Sequence, residues 1–412
     1  MNGYTAALLA ALLLEYGLDL AADLLNLRAL DPALPPEFRD VFDPERYRRS
    51  QAYTHARAWL GMVAATVNLA LLLGFWFAGG FNRLDRWVRA LGLGPVPAGL
   101  LFVGILGLAG AILTLPFGWW STFVIESRFG FNRTKAATFW ADRAKGVLLA
   151  LLLGGPLLAA ILFFFEKTGS RAWLWCWLAS AIFVVGVQFI APTWIMPLFN
   201  RFTPLAEGGL REAILDYARS VAFPLEGVFV IDGSRRSTKA NAFFTGFGRR
   251  KRVALFDTLL EKLDPGEVVA VVAHEIGHYK RRHVTTGMAI GVLQAGILFF
   301  LLSIFLREPG LFQAFGMEMR SVYAGLVFFA LLFGPLDVAV STFVRALSRR
   351  HELEADRFAA ETTGAGERLA SALRRLSADS LTNLTPHPLY VLLNHSHPPV
   401  LERLRALRRG SE

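Results

Sequence analysis

Apolar runs recur along the chain at about residues 4–25, 59–78, 97–120, 146–165, 173–195, 284–306 and 322–343. Each approaches the ~20 residues that carry a helix across a bilayer. This pattern predicts a mainly α protein built on a bundle of seven transmembrane helices. A long polar segment interrupts the runs between the fifth and sixth, and its patterning is mixed. Residues 227–232 read as a strand, and residues 241–248 and 252–256 as a hairpin about a glycine- and base-rich connection. Asp264-Pro265-Gly266-Glu267 then opens a helix. Asp is the N-cap, Pro takes the first turn, and Glu stands three residues after the cap. That helix carries Val268, Val269, Val271 and Val272 and is expected to continue into the sixth run. The resulting division is 1–195, five spans; 196–283, a polar α/β segment; 284–347, two spans; and 348–412, a C-terminal polar part.

The first run is unlike the others. It carries Glu15, Asp19 and Asp23, spaced by four and so on one helical stripe. Ionisable groups in a span face a bundle interior or a hydrated cavity, or pair with arginines of neighbouring helices. No Lys or Arg precedes the run, so it lacks the positive start of a cleavable signal peptide.

Composition agrees with a membrane protein: 54% of residues are hydrophobic and 18% charged. The net charge of +10 sits mainly in alternate connections. Lys plus Arg number 6, 3, 5 and 2 in the first four, and 14 in the long polar segment. By the positive-inside rule the N-terminus is outside, and the polar segment and C-terminus are cytoplasmic. Arg-rich cytoplasmic connections account for the charge without a nucleic-acid partner. The single cysteine, Cys176, lies among tryptophans in the fifth run and reads as a packing residue.

The candidate chemistry lies in His274-Glu275-Ile276-Gly277-His278. Histidines at i and i+4 share a helix face and can grip one metal ion, with Glu275 placed to act as a base beside it. A catalytic zinc needs a third protein ligand and one open position. His283 lies roughly half a turn off the His274 face, so the same helix cannot easily supply it as the third ligand. Beyond the seventh run, Glu352 and Asp356 share a face, while Glu354 points elsewhere. This spacing fits a metal-facing helix and a solvated acidic helix start equally well. His397 precedes Pro398-Pro399 and an amphipathic helix with Val400, Leu401, Leu404 and Leu407 on one face. Taken alone, its position favours a surface loop.

The ordered set of motifs resembles integral-membrane zinc metalloproteases of the Ste24 type, the CAAX prenyl protease 1 family within the M48 peptidases. The resemblance rests on the segments at 126–132, 197–205, 241–246 and 256–259, then His-Glu-Ile-Gly-His, S-R-x-x-E-x-x-A-D at 348–356, and Ser396-His397-Pro398-Pro399. It implies one Zn2+ per chain, held by His274, His278 and Glu352, with Asp356 behind a ligand. It implies Glu275 as catalytic base and His397 as a stabiliser of the reacting carbonyl. Asn241 and Ala242, with Phe243 beside them, match a strand edge that aligns substrate. The implied fold is a ring of seven transmembrane helices enclosing a chamber, closed by a cytoplasmic zinc metalloprotease α/β domain. The expected partners are a peptide or protein substrate, lipidated CAAX proteins included, and the lipid bilayer. Two rival readings stand beside this one. One is an intramembrane site-2-type protease using Asp337; the other is a chaperone or scaffold retaining a zinc site without catalysis.

Overall fold

In the computed structural model, which describes residues 2–245 and 251–409, helices dominate. Six are long and apolar enough to cross a membrane: Pro44–Phe77, Pro95–Glu126, Ala136–Lys167, Gly169–Leu198, His283–Phe305 and Val322–Thr363. Their flanks leave large apolar side chains bare, among them Leu151, Ile182, Trp194 and Phe343. A surface of that kind is stable against lipid and costly against water. The chain is a multi-pass integral membrane protein.

The first apolar run also folds as a helix, Gly3–Arg28, capped by the Asn2 side chain accepting from the Thr5 amide. It is not among the six, and it carries Glu15, Asp19 and Asp23. It packs along Val322–Thr363 so closely that a Cβ at Gly334 would overlap the Glu15 carboxylate.

Two expectations need correction. The polar stretch before the second run is not simply a connection. Asp43 caps a helix whose basic first turns, with Arg46, Arg48 and Arg49, lead unbroken into the apolar part. The helix opened by Asp264 does not continue into the sixth run. It spans Pro265–Lys280, and Arg282 adopts a left-handed conformation (φ +61°) before a new helix, His283–Phe305, begins. Lys280, Arg281 and Arg282 place their charge at the carbonyl end of the first helix, where the backbone dipole favours cations and termination. The capping box at Asp264 forms as expected: its side chain accepts from the Glu267 amide, and Glu267 reaches back to the Asp264 amide.

The polar segment contributes a four-stranded sheet in the order β1-β2-β4-β3, with β1 Phe202–Pro204, β2 Leu225–Ile231, β3 Ala242–Thr245 and β4 Lys251–Phe256. β3 and β4 pair antiparallel, in keeping with the hairpin expected there, with Ala242 opposite Leu255. Residues 246–250, the end of the first expected strand and most of its connection, lie outside the described residues. β2 runs parallel to β4, which the long link between them permits. β3 is an edge strand.

The helix Pro265–Lys280 lies in an apolar core with the sheet, built from Val228, Val253, Leu255, Val268, Val272 and Ile276. Segments from between the early spans join this core: Phe38, Phe42 and Tyr47 from one, Phe129 and Phe131 from another. A separate apolar cluster around Trp76, Phe81, Phe102, Phe315 and Phe328 ties the spanning helices to one another.

Candidate metal centre

The apolar residues of Pro265–Lys280 face the sheet core, and this turns the opposite stripe, His274 and His278, toward Val322–Thr363. That long helix runs beyond its apolar half and presents Glu352 and Asp356 from one face. Gly277 permits the close crossing: a Cβ there would lie 3.2 Å from the Ala355 backbone and 3.1 Å from the Phe358 ring.

His274, His278 and Glu352 each offer a ligand atom, all within 4.8 Å of one another. His274 Nε2 and His278 Nε2 are 3.2 Å apart. Glu352 Oε2 lies 3.4 Å from His274 Nε2, and Oε1 lies 3.3 Å from His278 Nε2. Bonds of about 2.0 Å in a tetrahedron separate neighbouring ligands by about 3.3 Å, so this spacing fits a small tetrahedral cation. Glu352 Oε2 is buried without a hydrogen-bond partner among the described residues. Two imidazole nitrogens and a carboxylate turned on one point repel unless a positive charge, a ring proton or a metal ion, lies between them. The donor set therefore fits a metal.

Asp356 stands behind His274, with Oδ1 2.8 Å from Nδ1 but off the direction in which an N–H would point. Arg403 holds that carboxylate with two bonds, Nε donating to Oδ2 at 2.8 Å and Nη2 to Oδ1 at 2.6 Å. Its remaining nitrogen is 3.6 Å from Glu352 Oε2. Sequence reasoning missed Arg403. Its position in an amphipathic helix start after Pro398-Pro399 reads as an ordinary charged surface residue. The Asp356–Arg403 pair is almost fully buried, at 2% and 11% side-chain exposure, so removing one partner strands the other. Arg403→Met is expected to destabilise the domain by about 3–5 kcal/mol. Thermal unfolding of the purified protein checks this; an unchanged Tm would contradict it.

Burial works against a charged His274, but the Asp356 and Glu352 carboxylates outweigh it and raise the ring to about 9. Burial lifts Glu275 above the usual glutamate range, while the neighbouring His274 and His278 rings pull it back. Glu275 is half-buried, one residue along the helix from the first ligand. His397 comes closer to the site than a surface loop would: Nε2 lies 3.2 Å from Glu352 Oε1, and Nδ1 lies 2.9 Å from Ser396 Oγ. Its side chain remains 63% exposed at a cavity of about 320 Å³ that Arg403 and Asn394 also line. Burial of its surroundings lowers its pKa, and Glu352 only partly offsets this. Asn241 is exposed at the start of the edge strand, its own side chain accepting from the Ala242 amide. Ala242 and Phe243 are half-buried, and Phe244 packs against Tyr279 of the helix that carries His274 and His278. Asp337 is not in the metal-capable group.

A largely buried His-His-Glu set between two helices, in a chain with six apolar helices long enough to span a bilayer, is the arrangement of a membrane metallopeptidase. The family comparisons are specific. Residues 23–201 match the CAAX prenyl protease N-terminal domain with five membrane helices, and residues 204–411 match peptidase family M48. The chain belongs to the CAAX prenyl protease 1 family of M48 peptidases and is a metalloendopeptidase. It is 36% identical to a CAAX prenyl protease 1 homolog of Arabidopsis thaliana, over 96% of this chain and 95% of that one. It is 34% identical to CAAX prenyl protease 1 of Saccharomyces cerevisiae, over 92% and 89%. The crystal structure of S. mikatae Ste24p superposes with a TM-score of 0.93, at 30% identity and over 99% of each chain. Neither the site-2 reading nor the scaffold reading is favoured by these relatives.

Proposed function

We propose that the chain uses a single zinc ion to hydrolyse peptide bonds in membrane-associated protein substrates, with prenylated CAAX-type C-termini as the leading class. The observation that carries this reading is the convergence of His274, His278 and Glu352 with Glu275 on the same helix. When bound there, zinc supplies Lewis acidity toward water and the scissile carbonyl. Glu275 takes a proton from the attacking water as its oxygen bonds to the carbonyl carbon, and passes it to the leaving amine as the C–N bond breaks. The His397 ring donates through Nε2–H to the oxygen on which charge develops. Asp356, clamped by Arg403, orients His274. The edge Asn241–Ala242–Phe243 pairs with an extended substrate backbone.

The helix Gly3–Arg28 serves as a seventh span, its acidic stripe facing a hydrated chamber inside the bundle. The N-terminus lies outside, and the metal domain and C-terminus are cytoplasmic. Regions 1–195 and 284–347 form the membrane part, and 196–283 and 348–412 the protease part. No nucleic acid takes part. The trapping variant Glu275→Gln tests the substrate class: expressed in the source cell, it accumulates bound lipidated or membrane-associated proteins. Recovery of only soluble, unlipidated polypeptides would overturn the class while leaving the chemistry intact.

The raised His274 pKa has a signed consequence. In the metal-free protein the proton on this ring stabilises the fold fully below about pH 6.5, the ordinary histidine value, and that stabilisation is lost as pH rises through about 9. Zinc needs the bare nitrogen, so below pH 9 its binding displaces a proton. Apparent zinc affinity is expected to fall about tenfold per unit as pH drops from 9 toward 7. Calorimetry in buffers of different ionisation enthalpy measures the released proton; zinc uptake with no proton release at pH 7 would contradict it.

A further inference from the structure

A second histidine pair stands behind the metal centre. The break at Arg282 reverses the chain and sets His283 against the back of His278, with the two Nδ1 atoms 3.1 Å apart. His283 is buried, and its Nε2 lies 3.2 Å from Glu354 Oε2. The His351 ring stacks on it at 4.0 Å between centroids, with planes 7° from parallel. Arg350 Nε donates to the other Glu354 oxygen at 3.0 Å.

Only one assignment of protons satisfies this chain. His278 Nε2 faces His274 and Glu352 and must keep its lone pair free to bind a metal, so its proton is on Nδ1. Among the described residues, the nitrogen facing that proton is His283 Nδ1, which must therefore accept. His283 then carries its proton on Nε2 and donates it to Glu354. Glu354 is an acceptor whatever its rotamer, and its charge favours the donor tautomer of His283.

We propose that His283 and Glu354 are positioning residues that hold His278 in its metal-binding tautomer through a His278–His283–Glu354 relay, kept in plane by His351. The relay is built where two spanning helices meet the protease part. His283 is the first residue of His283–Phe305, and Glu354 lies on the extension of Val322–Thr363. The second histidine ligand is thus oriented from the membrane bundle, and the first from the C-terminal helix through Asp356 and Arg403.

This inference rests on the proposed zinc site, and the experiment separates the two. Zinc alone is titrated into the purified full chain in competition with a chromophoric chelator, with thermal unfolding recorded for each variant. Wild type that binds no zinc would refute the site itself. With wild-type binding established, His283→Phe keeps an aromatic ring but removes the acceptor, and zinc is expected to bind about 10–100-fold more weakly. His283→Asn places an oxygen where Nδ1 lies and is expected to recover most of that loss. Equal losses in the two variants, or wild-type affinity in His283→Phe, would overturn the relay. If His283→Phe fails to fold, Glu354→Leu, which removes the acceptor at a partly exposed position, decides instead. A several-fold weakening supports the relay, and unchanged affinity overturns it.

Discussion

Glu275→Gln is expected to bind zinc as wild type does and to lose peptide hydrolysis by about 10²–10⁴-fold, the range that removing a general base commonly costs. The substitution keeps the size and helical position of the side chain but removes the basic oxygen. Glu275 is half-buried beside the two histidines, and it is not part of the three-atom ligand set. Its burial matters to the chemistry. A carboxylate lifted above its usual range takes a proton from water more readily than an ordinary surface glutamate would. Metal content and single-turnover cleavage, measured on the same preparation, check both halves of the expectation. Turnover within tenfold of wild type would remove Glu275 from the mechanism, and loss of zinc would make it a ligand.

Glu352→Ala acts on the other half of the centre. It removes the carboxylate that faces both histidine nitrogens, and zinc affinity is expected to fall by well over ~100-fold, more than the loss of an outer partner. Hydrolysis falls with it. The side chain is buried, so the variant also leaves a small void and releases the 3.6 Å contact from Arg403. Asp356→Asn distinguishes ligand loss from general disruption of this face. It keeps the volume and is expected to weaken zinc by only about 10–100-fold. Undiminished zinc in Glu352→Ala would show that the third ligand lies elsewhere.

Much of this centre is legible in the amino-acid sequence, because its parts are local. The capping box at Asp264 and the i,i+4 spacing of His274 and His278 depend only on helix geometry. So does the shared face of Glu352 and Asp356. The hairpin of β3 and β4 follows from neighbouring alternation. What the sequence hides depends on backbone breaks and on distant packing. His283 is out of place on a continuous helix, and one left-handed residue, Arg282, moves it behind His278. Arg403 carries no local signal, since its partner Asp356 is 47 positions away. The aromatic residues Phe38, Phe129 and Phe131 lie between the apolar runs, yet they complete the core beneath the helix that carries His274 and His278. The acidic stripe of Gly3–Arg28 is legible as a stripe, and its packing against Gly334 is not.

The most direct test of the central claim is cleavage of a fluorescence-quenched membrane-anchored peptide by the purified protein. It is followed before chelation, after chelation, and after zinc is returned, with bound metal counted at each stage. The account expects activity to vanish on chelation and to return in proportion to zinc, up to one ion per chain. Cleavage that persists in protein shown to be free of metal would contradict it.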